Sequence, residues 1–67
     1  SQMTVHVSIP NLNIRTGPGI GYATTGDVTG IGTFTIVEIK EGRGSSSGWG
    51  RLKSGAGWIS MDYTKRV

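Results

Sequence analysis

The 67-residue chain has no cysteine and a single histidine, His6. Without thiols there is no disulfide framework, and one imidazole cannot build a four-ligand zinc site, so the fold must hold by packing alone. Acids are scarce as well: Asp27, Glu38, Glu41 and Asp62 are the full set. A glycosidase pair would have to come from these four, yet Glu38 and Glu41 fall at the end of one expected strand and Asp27 in an expected loop, with no apolar pocket to raise a pKa. The same inventory matches no metal-ligand spacing, so neither metal nor cofactor is expected. No serine sits in a nucleophile-elbow context, which leaves His6 nothing to activate. The sequence is therefore expected to be non-catalytic. No apolar run approaches 18 residues and no signal-peptide core is present, so no membrane partner is expected either.

What is abundant is glycine, 12 of 67 residues, with two prolines. Leu, Ile, Val and Phe make up just over a fifth of the chain, above the level that marks disorder. A chain of this length supports one domain, burying about 60% of the surface its unfolded form exposes. Because residue 1 is Ser rather than Met, residues 1–3 are expected to be a cloning remnant or linker. Residues 4–67 then form a single domain excised from a longer protein. The formal charge of +3 favours anionic partners mildly, but the seven basic residues are spread from Arg15 to Arg66 with no run among them.

Between Thr16 and Ser60 the longest stretch free of Gly and Pro is Thr33 to Glu41, and β-branched residues dominate it, so helices of ordinary length are excluded there. Short strands punctuated by turns remain, the pattern of a small all-β barrel or sandwich. Val5, Val7 and Ile9 alternate with His6 and Ser8, which gives a first strand with His6 toward solvent, ended by Pro10. Leu12 and Ile14 then point inward while Asn13 and Arg15 point out. Residues 17–32 read as a long excursion pinned to the core by Val28 and Ile31. Residues 33–40 carry apolar side chains on both faces, which predicts a central strand with its second face covered by a loop. Residues 42–48, GRGSSSG, read as a mobile polar connector. A two-residue turn at Gly55-Ala56 would place Leu52 opposite Ile59 and Lys53 opposite Trp58, with a cation–π contact in the second pair.

The glycine-rich stretch NLNIRTGPGIGY, residues 11–22, has two readings. A dinucleotide fingerprint needs a third glycine where Tyr22 stands, and no Gly-Lys-Ser or Gly-Lys-Thr occurs anywhere. No helix is expected to follow whose N-terminus could hold a phosphate, so these glycines serve the backbone. Tyr22, Trp49, Trp58 and Tyr63 are many aromatics for so small a core. With the basic side chains of Arg15 and Lys53 and the amide of Asn13 nearby, they are the candidate ligand-binding residues.

Leu12-Asn13-Ile14-Arg15 with Gly17-Pro18-Gly19, followed by TFTIVEI, GWGRL and SGAGWI, resembles the bacterial SH3 domain family (SH3b), especially its SH3_3-type members, over about residues 5–63. The resemblance implies a small SH3-like half-open barrel of about five to seven short strands. It further implies a non-catalytic, extracellular module that targets a tethered peptidoglycan hydrolase to the bacterial cell wall, as in endolysins and autolysins. The partners implied are a peptidoglycan stem peptide or cross-bridge, with anionic wall polymers as a further candidate. In the family Gly17, Pro18, Gly19, Leu12, Ile14, Val28, Leu52 and Ile59 correspond to positions that mark the fold. The 42–48 segment is longer than the usual short hairpin at that point. Two alternatives are weaker. A proline-rich peptide mode lacks the acidic loop that pairs with a ligand Arg, since residues 17–32 carry only Asp27. Nucleic-acid binding lacks the clustering of basic residues with aromatics.

Overall fold

A computed structural model describes residues 2–67. Its elements are β1 (Met3–Val7), β2 (Leu12–Arg15), β3 (Thr24–Thr29), β4 (Gly32–Gly42), β5 (Ser45–Leu52), β6 (Trp58–Ser60), a single 3-10 turn (Met61–Tyr63) and β7 (Thr64–Arg66). Every pairing is antiparallel, and the strands form one sheet in the order β3-β2-β6-β5-β4-β1-β7.

One hydrophobic cluster holds Val5, Val7, Leu12, Ile14, Ile36, Leu52, Ile59 and Met61, with Met3, Ile9 and Phe34 packed against it. Three strands separate β1 from β2 in the sheet order, yet Val5 and Leu12 share that cluster. A single sheet can do this only by curling onto itself, so its two inner faces meet as one core. Gly50 lies where the core packs closely against the sheet: a Cβ there would come within 2.5 Å of Met61 Sδ and 2.9 Å of an Ile36 methyl. The chain is thus an all-β, SH3-like half-open barrel, with β3 and β7 as its two free edges.

Local chemistry explains most of the strands. In β2 the alternation Leu12 in, Asn13 out, Ile14 in holds as expected. β4 is central, flanked by β5 and β1. Its second face is not covered as expected: a register shift between Ile36 and Glu38 reverses the parity, so Glu38 and Lys40 share the outer side with Arg51 and Trp49, and Ile39, opposite Gly50, is left 45% exposed. His6 is half-buried rather than fully exposed, because β7 pairs along β1 and sets Lys65 beside it.

The expected 17–32 excursion is corrected. Residues 24–29 form β3, paired with β2, and only residues 16–23 and the turn at 30–31 are loop. Gly26, at φ +92°, falls where the register shifts between Asn13 and Arg15, so it marks an irregularity within the strand rather than a loop. Val28 and Ile31 do not pin this segment. Val28 pairs with outward-facing Asn13 and is 48% exposed, and Ile31 at the turn is 63% exposed.

The residue of β3 that does reach the interior is Thr29, opposite Leu12 and 3% exposed. Its hydroxyl has no hydrogen-bond partner. An orphaned buried hydroxyl costs about 1–3 kcal/mol, and valine matches threonine in shape. Thr29→Val is therefore expected to raise stability by about 1 kcal/mol, read as a higher urea midpoint at unchanged slope. A lowered midpoint would contradict the assignment of Thr29 as unsatisfied.

Candidate functional site

The 16–23 loop is shaped by its own backbone. Thr16 N–H donates to the Ala23 carbonyl at 2.9 Å, Gly19 N–H to the Gly17 carbonyl at 3.0 Å and Tyr22 N–H to the Gly19 carbonyl at 3.2 Å. Arg15, at the end of β2, reaches back under the loop, and its Nη1 donates to the carbonyls of Tyr22 at 2.9 Å and Ile20 at 3.4 Å. The Tyr22 ring lies directly over Gly17, where any side chain would collide with it.

This loop rests on the β4–β5 turn. Ile20 N–H donates to the Arg43 carbonyl at 3.1 Å, and the same carbonyl accepts the Trp49 indole N–H at 3.0 Å. Gly42 faces the Pro18 carbonyl and Gly44 the Ile20 side chain, each so closely that a Cβ would clash. Gly44 also has φ +89°, a value that favours glycine. The 42–48 segment is therefore no mobile connector. β5 begins at Ser45, leaving a two-residue turn, and three serines tie its start to the 3-10 turn. The Asp62 carboxylate accepts Ser46 N–H at 3.1 Å, Ser46 O–H at 3.1 Å and Ser47 N–H at 2.8 Å. Ser60 Oγ donates to Ser45 Oγ at 2.9 Å, and Ser45 Oγ donates to the Gly48 carbonyl at 2.7 Å.

Between the loop, the β4–β5 turn and the 3-10 turn lies a groove of about 320 Å³, lined by Ile9, Asn11, Leu12, Asn13, Arg15, Ile20, Gly44, Trp49, Ser60 and Tyr63. Four of the seven candidate residues, Asn13, Arg15, Trp49 and Tyr63, come together here. Trp49 is 3% exposed and backs the groove, while Tyr63 is 55% exposed and offers the open aromatic ring. Ile9, Asn11, Ile20 and Ser60 are additions. Ile20 alone carried a signal, as a lone β-branched residue inside a glycine run.

The other three candidates fall elsewhere. Tyr22 turns back onto Gly17 and does not line the groove. Trp58 is buried on the outer face of the sheet, opposite Arg15 and Arg51, and Lys40 Nζ, not Lys53, stands over its ring at 6.0 Å. The expected register is off by two residues: Arg51 pairs with Trp58 and Gly50 with Ile59. The hairpin needs a wider turn, closed by Leu52 N–H to the Gly57 carbonyl at 2.9 Å, with Gly55 at φ +84° and Gly57 at φ +138°. A shift of two preserves side-chain parity, so Leu52 and Ile59 still reach the core. Lys53 is carried into the exposed turn.

Beside Trp58, Glu38 bridges Arg51 at 3.1 Å and Lys40 at 3.6 Å. The Arg51 hydrogen bond, aided by Lys40, holds the Glu38 carboxyl below its usual range. Among the described residues no group of His, Cys, Asp or Glu could hold a metal ion. A wider depression of about 940 Å³ lies between the chain ends and β4, lined by Met3, Val37, Glu38 and Arg66 among others. It contains no aromatic ring, so it lacks the flat surfaces that grip a peptide or sugar. No family model, curated protein or solved structure matches the chain.

Asp62 supplies the pH dependence. The backbone N–H groups of Ser47 and Ser46 stabilise its ionised form and lower its pKa from 3.8 to about 2. A depressed carboxylate contributes stability that is complete above its unfolded pKa and is lost as pH falls through the folded one. The protein is therefore expected to lose stability between about pH 4 and pH 2. Asp62→Asn should be less stable at neutral pH and flatter across that window in urea titrations. An identical acid limb in both proteins would show that Asp62 does not hold the start of β5.

Proposed function

We propose that the chain is a bacterial SH3-type module that binds peptidoglycan and carries no catalytic machinery of its own. The observation that supports this most is the groove itself, where the exposed ring of Tyr63, with the buried Trp49 behind the lining, stands beside the polar groups of Asn13, Arg15 and Ser60. Aromatic anchors beside a few placed polar groups are the usual make-up of a site for a short peptide. The motif Leu12-Asn13-Ile14-Arg15 with Gly17-Pro18-Gly19 points the same way. Its Arg15 and glycines shape the loop that forms one wall of the groove.

In this role the domain acts on a tethered wall hydrolase through effective concentration. A modest affinity here makes the enzyme's encounter with its substrate intramolecular. The net charge of +3 assists at long range, because walls bearing anionic polymers attract cations in a salt-dependent way. The stem peptide or the cross-bridge is the chemical target of the groove. A proline-rich ligand is a poorer match, since no acid lines the groove and Asp62, next in sequence to the lining Tyr63, is already engaged by Ser46 and Ser47.

The protein is expected to sediment with purified Gram-positive peptidoglycan at low salt, and to release as salt rises. Tyr63→Ala should weaken retention about 10-fold or more with little change in melting temperature, because this ring is half exposed and makes no hydrogen bond among the described residues. Failure of the unmodified protein to sediment at low salt would overturn the proposal.

A further inference from the structure

Arg15 is the one charged side chain that lines the groove. It has no acidic partner among the described residues, where the ion pairs are those of Glu38 with Lys40 and Arg51. Its hydrogen bonds leave from Nη1 alone, to the carbonyls of Ile20 and Tyr22. Those two carbonyls hold the guanidinium in place without neutralising it, and Nε and Nη2 have no protein partner among the described residues. A cation held in place without a counter-ion at the mouth of a groove is available to pair with an anionic ligand. Asp62, next in sequence to the groove-lining Tyr63, is committed to Ser46 and Ser47.

The ligand class follows from charge, shape and size together. A guanidinium fork matches a planar carboxylate through paired N–H donors. The rest of the lining is apolar or neutral polar, with Ile9, Leu12, Ile20 and Tyr63 beside the amides of Asn11 and Asn13, which suits small apolar side chains and a peptide backbone. At about 320 Å³ the groove is at the lower end of the range for small-ligand sites, so the occupant is short. We propose that the groove takes the free C-terminal carboxylate of a short, small-residue peptide, with Arg15 as its counter-ion. This rests on the reading of the chain as a peptide-binding wall module, and it adds that the module distinguishes a free peptide end from a capped or cross-linked one.

The test compares N-acetyl-trialanine bearing a free C-terminal carboxylate with its C-terminal amide, titrated into the protein at low salt and followed by Trp fluorescence and calorimetry. The acid is expected to bind about 5- to 10-fold more tightly than the amide. Arg15→Gln should equalise the two peptides, and Arg15→Lys should retain part of the preference; melting curves check that both variants stay folded. Equal affinities in the unmodified protein overturn the proposal, as does binding of neither peptide. Displacement of the acid peptide by inorganic phosphate but not by acetate, at constant ionic strength, also overturns it in favour of a phosphate site. Sedimentation with peptidoglycan is scored separately: if it persists while acid and amide bind alike, carboxylate recognition fails and wall binding stands.

Discussion

The carbonyl oxygen of Arg43 accepts two hydrogen bonds, from Ile20 N–H and from the Trp49 indole, and the architecture around the groove depends on that pair. A carbonyl has two lone pairs, so one atom can hold a loop and a tryptophan together. This requires the 16–23 loop and the β4–β5 turn to approach until backbone meets side chain. Gly42 beneath the Pro18 carbonyl and Gly44 beneath Ile20 permit that approach, because any Cβ at either position would fill the space. Trp49 is thereby buried although it lies outside the main cluster. Its indole N–H, costly to bury alone, is satisfied by the element that covers it.

β5 serves two surfaces at once. Gly50 and Leu52 face the barrel interior, while Trp49 and Arg51 face away from it. The groove is therefore built on the back of a core strand, whose position is fixed by Ile36, Ile59 and Met61 on the other side. The start of that strand is held by the Asp62 carboxylate, and the same 3-10 turn presents Tyr63. Loop, turn and 3-10 segment are consequently each tied to a neighbour by hydrogen bonds. Such preorganisation reduces the entropy lost when a ligand binds.

The parts of this that were legible in the sequence are those set by side-chain parity and backbone chemistry. Leu12 and Ile14 alternate with polar residues and sit in the core, the β-branched run from Thr33 forms the central strand, and Gly55 takes the positive φ its turn needs. What was not legible depended on partners distant in sequence. The β3 segment, TTGDVT, has little apolar content and a central glycine, so its strand character comes from pairing with β2 rather than from local pattern. The GRGSSSG segment looks flexible until Asp62, 15 residues beyond Ser47, is seen to accept its N–H groups. The two-residue register error arose because parity alone cannot distinguish a two-residue turn from a wider one. Among the candidate residues, Asn13 and Arg15 on β2, Trp49 on β5 and Tyr63 on the 3-10 turn converge, whereas Tyr22, Lys53 and Trp58 share only their residue type with them.

The central claim is that ligands of this module enter the groove between the 16–23 loop and the β4–β5 turn. Amide and indole chemical-shift mapping by NMR during titration with soluble peptidoglycan fragments tests it most directly. The account predicts that perturbations concentrate at Ile20, Gly44, Tyr63 and the Trp49 indole N–H. Perturbations confined to the depression formed by Met3, Val37 and Arg66, with the Trp49 indole signal unmoved at saturation, would contradict it.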